Sequence, residues 1–384
     1  MEKNSFYSIW QGSSVVFGTI VGAGVLGLPY AFAATGILSG TLVLLLAGGM
    51  LALLMLFLGE VAWRTPGKHQ LTGYANQYLG KKAKHILAAA LVVNIYGAML
   101  AYTIGQGEVL AAVFGGAPVL YSGLFFVLSG IVIVLGIDIV KHIEAVLTLI
   151  VIGLLLVLVA LTAPSMSFTT LWQTGSPTFS NLLVTYGVAL FACFGLTAVP
   201  QVRNILFNQS PRRMRTALLL GSLVPPLLYV LFAAVVLGVT GSATTEVATI
   251  GLGEQLGASV LLLGSLFAFF AMATSFLALG LALRNVFHRD YNLPLVQASV
   301  LTLGVPASLF LLGVRDFITV LSVVGAFALG VVGVLGVMIY LAARESTSQD
   351  SFTLVPYWAG TVLGGCLIMM FLLSMMLVAF DLWY

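Results

Sequence analysis

Two stretches of this chain, residues 4–59 and 145–202, contain no Asp, Glu, Lys or Arg at all. A bilayer core about 30 Å thick needs about 20 apolar residues per helix, so each stretch is long enough for two spans with a turn between them. Only 7% of the 384 residues are charged, against about 25% in an ordinary soluble domain. Water cannot be the main solvent of such a chain. Apolar runs interrupted by charged or turn residues predict an all-α polytopic membrane protein with eleven spans, at 9–34, 39–62, 85–113, 119–137, 142–163, 180–206, 214–240, 255–287, 292–312, 317–342 and 354–380. The third and eighth are the long ones, and long spans tilt or project from the bilayer. Ala31-Phe32-Ala33 could be read as a signal-peptidase site. The preceding run is broken by glycines and Pro29 and a second span follows directly, so the segment is read as a retained span.

Charge placement sets the orientation. With the N-terminus in the cytoplasm, Lys3, Arg64, Lys68, Lys81, Lys82, Lys84, Lys141, Arg203, Arg212, Arg213, Arg215, Arg284, Arg289 and Arg344 fall on the inner side and only Arg315 lies outside. The positive-inside rule therefore predicts a cytoplasmic N-terminus and, with an odd number of spans, an external C-terminus. The inner loop 64–84 and the outer loop 241–254 are both long and stand five spans apart. A five-span unit is odd, so a second copy must enter from the opposite face, which predicts inverted repeats over 1–163 and 180–343, with 354–384 as an additional helix.

The first span reads Phe17-Gly18-Thr19-Ile20-Val21-Gly22-Ala23-Gly24-Val25-Leu26-Gly27-Leu28-Pro29. Four glycines lower the cost of unwinding and proline removes a donor, so a break there would free backbone groups toward the protein interior. Amides at a half-helix N-terminus attract a carboxylate, and carbonyls at the opposite broken end attract a cation. The plainer alternative is that Gly18 and Gly22 form a small-residue packing face between helices. It has a rival in the sixth span, where Phe191-Ala192-Cys193-Phe194-Gly195-Leu196-Thr197-Ala198-Val199-Pro200 repeats the pattern of glycine, small polar groups and proline. Interruptions at corresponding places in two halves point to a midplane binding site.

The run GTIVGAGVLGLPYAFAATG resembles the first helix of the amino acid/auxin permease family, within the amino acid–polyamine–organocation group of LeuT-like fold. The segment from Glu60 to Gly80, EVAWRTPGKHQLTGYANQYLG, and the eighth-span run ATSFLALGLALRNVF are similar to its prokaryotic aromatic amino acid permease branch. The resemblance covers ten core helices; the eleventh carries no distinctive motif. It implies that a substrate carboxylate meets the amides of Gly22, Ala23 and Gly24. The ammonium group would meet carbonyls around Phe191, Ala192 and Cys193, with Phe191 and Phe194 as pocket walls. Tyr102 in the third span is a candidate hydroxyl partner, with aromatic packing as its alternative.

Ala271, Thr274 and Ser275 share one face of the eighth span at i, i+3, i+4 spacing. The LeuT-like resemblance implies a sodium site there, completed by the carbonyls of Gly18 and Val21. Hydroxyls in membrane helices also bond back to the preceding turn, which is the competing role for Thr274 and Ser275. A proton-coupled mechanism needs a titratable group instead. The fifth span has only Lys141, His142 and Glu144 at its inner end. Glu108 is the remaining candidate, about 36 Å along the third span from Lys84 and so near the outer surface, where an interfacial carboxylate is its ordinary role.

His69, His85, His142 and His288 map to inner loops or helix ends without metal-ligand spacing. Cys193 and Cys366 lie in apolar segments, where a thiol behaves as a small hydrophobe. No paired carboxylate, metal cluster or nucleophile with a base lies inside the spans, so an enzyme is not expected. Nucleic acid, a cofactor beyond a possible sodium ion, and an obligatory protein partner are not suggested either. The expectation is an inner-membrane symporter that imports an amino acid, aromatic or large and neutral by resemblance, by alternating access with sodium or protons. A membrane receptor that senses an amino acid on the same fold is the alternative.

Overall fold

The computed structural model describes the backbone of residues 2–67, 69–136, 139–207, 209–346 and 355–381, which form helices and connections with no strand among them. The chain opens with α1 (Glu2–Ile20), α2 (Gly24–Thr35), α3 (Ile37–Arg64) and α4 (Leu71–Leu79). Next come α5 (Lys81–Phe114), α6 (Pro118–Leu135), α7 (Ile139–Thr162) and the short α8 (Phe168–Trp172). The second half holds α9 (Phe179–Ala192), α10 (Val199–Ile205), α11 (Pro211–Thr240), α12 (Ala248–Leu256) and α13 (Ala258–Asn285). It closes with α14 (Leu295–Leu311), α15 (Phe317–Val323), α16 (Leu329–Ser346) and α17 (Tyr357–Asp381). The side chains of Lys3, Lys68, Lys141, His142, Glu144 and Arg289 lie outside the described residues.

Among the described residues, eight helices are long and apolar enough to cross a bilayer, and the bent pair Tyr7–Ile20 and Gly24–Thr35 makes a ninth span if counted as one. Two shorter apolar helices, Leu149–Ser165 and Leu295–Leu311, stand where the fifth and ninth spans are expected. One length differs from expectation. The seventh span, Pro211–Ala243, has 33 residues against 31 for the eighth, Ala258–His288. The reason is local: Pro211 opens the helix at a position where the N–H is spare in any case.

The ends of the elements follow from their residues. Thr178 caps α9 by accepting from the Asn181 N–H at 3.3 Å, and Asp316 caps α15 by accepting from the Thr319 N–H at 2.6 Å. The two long connections each contain a nine-residue helix, α4 and α12. Each of these ends at a glycine of nearly the same conformation, Gly80 at φ 86° and ψ 179° and Gly257 at φ 96° and ψ 178°, and each leads straight into a long helix. Only glycine adopts that backbone at no steric cost.

Helix α5 runs through the centre, packed on α6, α13, α4, α15 and α16. Helix α1 lies along α11 so closely that a side chain on Gly221 would meet the Val16 Cβ at 2.5 Å. The buried centre includes Phe57, Phe232, Phe267, Phe276, Tyr229 and Tyr340. Leu120, Leu124, Leu128 and Leu135 of α6 are exposed instead, the stripe that a lipid-facing helix presents. Where α3, α16 and the start of the last helix meet, the buried Glu60 carboxylate pairs with Arg344 at 2.8 and 3.0 Å and with Arg64 at 2.9 Å.

Candidate substrate site at two broken helices

The first span breaks where its glycines predict. Helix α1 ends at Ile20, α2 starts at Gly24, and the two axes differ by 58°. The Val21 N–H still reaches the Phe17 carbonyl at 2.9 Å, and Leu26 closes a turn on the Ala23 carbonyl at 3.0 Å. Between them the N–H groups of Gly22 and Ala23 have no backbone acceptor among the described residues. The first N–H groups of α2, that of Gly24 included, lack intrahelical acceptors by geometry. On the other side of the break the Ile20 carbonyl accepts from the Tyr229 hydroxyl of α11 at 3.1 Å.

The sixth span breaks at the expected place too. Helix α9 stops at Ala192, a 3-10 turn covers Leu196–Ala198, and α10 restarts at Val199 with Pro200 in its first turn. Short turns hold the gap, from the Cys193 N–H to the Ala189 carbonyl at 3.0 Å and from the Phe194 N–H to the Phe191 carbonyl at 3.3 Å. The Cys193 carbonyl accepts no backbone N–H among the described residues, as the last carbonyls of a helix do not.

The two breaks meet. A Cβ on Gly24 would stand 2.5 Å from the Ala192 Cα and 2.7 Å from its Cβ, so the absence of a side chain is what allows α2 to touch the end of α9. A Cβ on Gly22 would stand 3.3 Å from the Ser275 Oγ and 3.8 Å from the Tyr102 hydroxyl, which brings α13 and α5 to the same point. Tyr102 is buried. Its ring lies edge-on to Phe191, with centroids 6.5 Å apart at 72°. Phe194 packs half-buried against the core, and Cys193 and Ala192 are buried.

Of the three α13 residues expected around a sodium ion, Ser275 is the one seen against the first break. Thr274 directs its hydroxyl to the Phe270 carbonyl of its own helix at 2.7 Å, the back-bonded arrangement that competes with ion binding. Ala271 and Val21 are buried and Gly18 is half-buried. Glu108 is half-buried in α5, within electrostatic range of Glu246 and Asp316. It stands six residues beyond Tyr102, about 9 Å along the helix. Glu246 accepts from the Phe317 N–H at 3.1 Å, and burial first and Asp316 second hold its carboxyl above the usual carboxylate range. No group of three or more metal-ligating side chains occurs among the described residues. Tyr229 was not anticipated, although a tyrosine deep in an apolar span needs a hydrogen-bond partner and so signals one.

Two helices broken side by side at the centre of a helical bundle define the class, a membrane transporter of LeuT-like fold. Solved structures agree on the fold. The inward-facing conformation of Mhp1 superimposes with a TM-score of 0.66 at 13% identity, covering 97% of this chain and 91% of that one. MhsT in complex with L-phenylalanine gives 0.65 at 16% identity, covering 96% and 97%. The chain belongs to the tryptophan/tyrosine permease family, whose family model matches residues 5–380. Similar curated proteins include tyrosine-specific transport system 1 of Haemophilus influenzae, 28% identical over 91% of this chain and 90% of that protein. Glutamine transporter 2 of Aliivibrio fischeri is 22% identical over 73% of this chain and 74% of that protein. Transport rather than enzymatic chemistry is thus the activity of this family.

Proposed function

We propose that this permease is a symporter that imports an aromatic amino acid, tyrosine or tryptophan, across the inner membrane by alternating access. The observation that carries the reading is the contact of Gly24 with Ala192, which sets the open amides of one half-helix beside the open carbonyls of another. A zwitterion matches that pair, its carboxylate on Gly22, Ala23 and Gly24 and its ammonium on Phe191, Ala192 and Cys193. The family and the tyrosine-specific relative support an aromatic side chain, and Tyr102, Phe191 and Phe194 supply walls suited to one.

The matched nine-residue helices α4 and α12, with their equivalent terminal glycines, support inverted repeats over 1–163 and 180–343, with 354–384 as an added segment and eleven spans in all. The distribution of Lys and Arg supports a cytoplasmic N-terminus and an external C-terminus. The first-helix run further supports a place beside the amino acid/auxin permeases. For the coupling ion, sodium would sit between the carbonyls of Gly18 and Val21 and the Ala271–Thr274 face of α13, and a proton would sit on Glu108. A thermal-shift screen of the twenty amino acids, with sodium chloride or choline chloride, tests the reading, because a ligand stabilises the state it binds. Tyrosine or tryptophan should give the largest upward shifts. A shift confined to small or charged amino acids would refute the aromatic assignment, and one that requires sodium selects the ion.

A further inference from the structure

The third and eighth spans place two hydroxyls together at the first break, and the expected sodium site gives one of them to the ion. Their surroundings separate the neighbours Thr274 and Ser275. Thr274 donates to the Phe270 carbonyl of its own preceding turn at 2.7 Å. The Ser275 Oγ instead stands across from Gly22, 3.3 Å from where a Cβ there would lie, with the Tyr102 hydroxyl 3.8 Å from the same point. Both hydroxyl oxygens fall within 3.8 Å of the space that a side chain on Gly22 would fill, and that space adjoins the unpaired N–H groups of Gly22 and Ala23. A carboxylate entering there meets hydroxyl donors from two helices as well as backbone donors.

We infer that Ser275 is a substrate ligand whose hydroxyl, across from Gly22, donates to the substrate carboxylate there. The inference rests on the reading that the first break takes that carboxylate. The chemistry is directional: a carboxylate oxygen only accepts, so Ser275 donates its proton to it. A sodium ion would ask the opposite of Ser275, a lone pair rather than a proton. The hydroxyl pair also explains why Gly22 carries no side chain although its backbone conformation does not demand glycine, since a methyl group there would occupy the carboxylate's place.

The test is equilibrium binding of L-tyrosine, and of tyramine, which lacks the carboxylate, to the purified full chain at several sodium concentrations. Hydrogen bonds to charged groups set the scale, so Ser275→Ala should weaken L-tyrosine about tenfold or more. Tyramine affinity should stay within about twofold, so the preference for tyrosine over tyramine shrinks by the same factor. Saturating sodium should not restore the loss, and Ser275→Thr should recover most of it. Recovery of Ser275→Ala by sodium would make Ser275 an ion ligand and overturn the inference. So would an unchanged preference in a variant that melts like the wild type. A wild type that binds tyramine as well as tyrosine would refute the carboxylate site itself, and the Ser275 role with it.

Discussion

Gly22 and Gly24 are two residues apart in one glycine-rich run, yet the structure assigns them different work, and alanine at each separates the two. At Gly24 the added Cβ would lie 2.5 Å from the Ala192 Cα, a backbone atom that cannot rotate away, so α2 must shift from α9. Overpacking of this kind costs about 1–3 kcal/mol, and a backbone obstacle places Gly24→Ala toward the upper end. At Gly22 the nearest obstacle is the Ser275 hydroxyl at 3.3 Å, which can turn aside, so Gly22→Ala should fold with stability within about 0.5 kcal/mol of the wild type. It should still block the carboxylate. Loss of two charge-assisted hydrogen bonds, about 3 kcal/mol together, corresponds to a loss of about a hundredfold in L-tyrosine affinity. Thermal melting in detergent reads the first effect and equilibrium binding the second. A Gly24→Ala variant that melts like the wild type, or a Gly22→Ala variant that binds normally, would refute the geometry of the break.

Glu60→Gln should destabilise the protein by about 3–5 kcal/mol, because Arg344 and Arg64 would stay buried without the carboxylate between them; a melting curve close to wild type would contradict that burial. Glu246 carries a raised carboxyl, so the folded protein holds this proton more tightly than the unfolded chain does. Its contribution is complete below the ordinary carboxylate range and is lost as pH rises through the raised value. The melting temperature should therefore fall with rising pH across that window in the wild type, and Glu246→Gln should flatten the slope.

Much of the fold could be read from the chain because bilayer physics leaves few choices. Charge-free runs placed the spans, and glycine with proline placed both breaks to within a few residues. Contacts distant in sequence were out of reach. Glu60 reads as the last turn before a loop, and nothing local shows that Arg344, 284 residues away, returns to pair with it. Gly22 and Gly24 look equivalent in the run, since only the folded chain decides which one faces Ala192 and which one faces hydroxyls. Helical spacing assigns Thr274 and Ser275 one broad face of α13. A hundred degrees of rotation between neighbouring residues sends the Thr274 hydroxyl to its own helix and sets the Ser275 Oγ across from Gly22. Glu108 reads as an isolated interfacial carboxylate, whereas the fold sets it near Glu246 and Asp316 from two other segments.

Accumulation of radiolabelled L-tyrosine or L-tryptophan by proteoliposomes holding the purified protein tests the central claim most directly. With an inward gradient of sodium or of protons, the internal concentration should rise above the external one, and it should collapse when an ionophore dissipates that gradient. Binding that is saturable but never followed by uptake, with both gradients supplied, would contradict a symporter and leave a receptor built on the same fold.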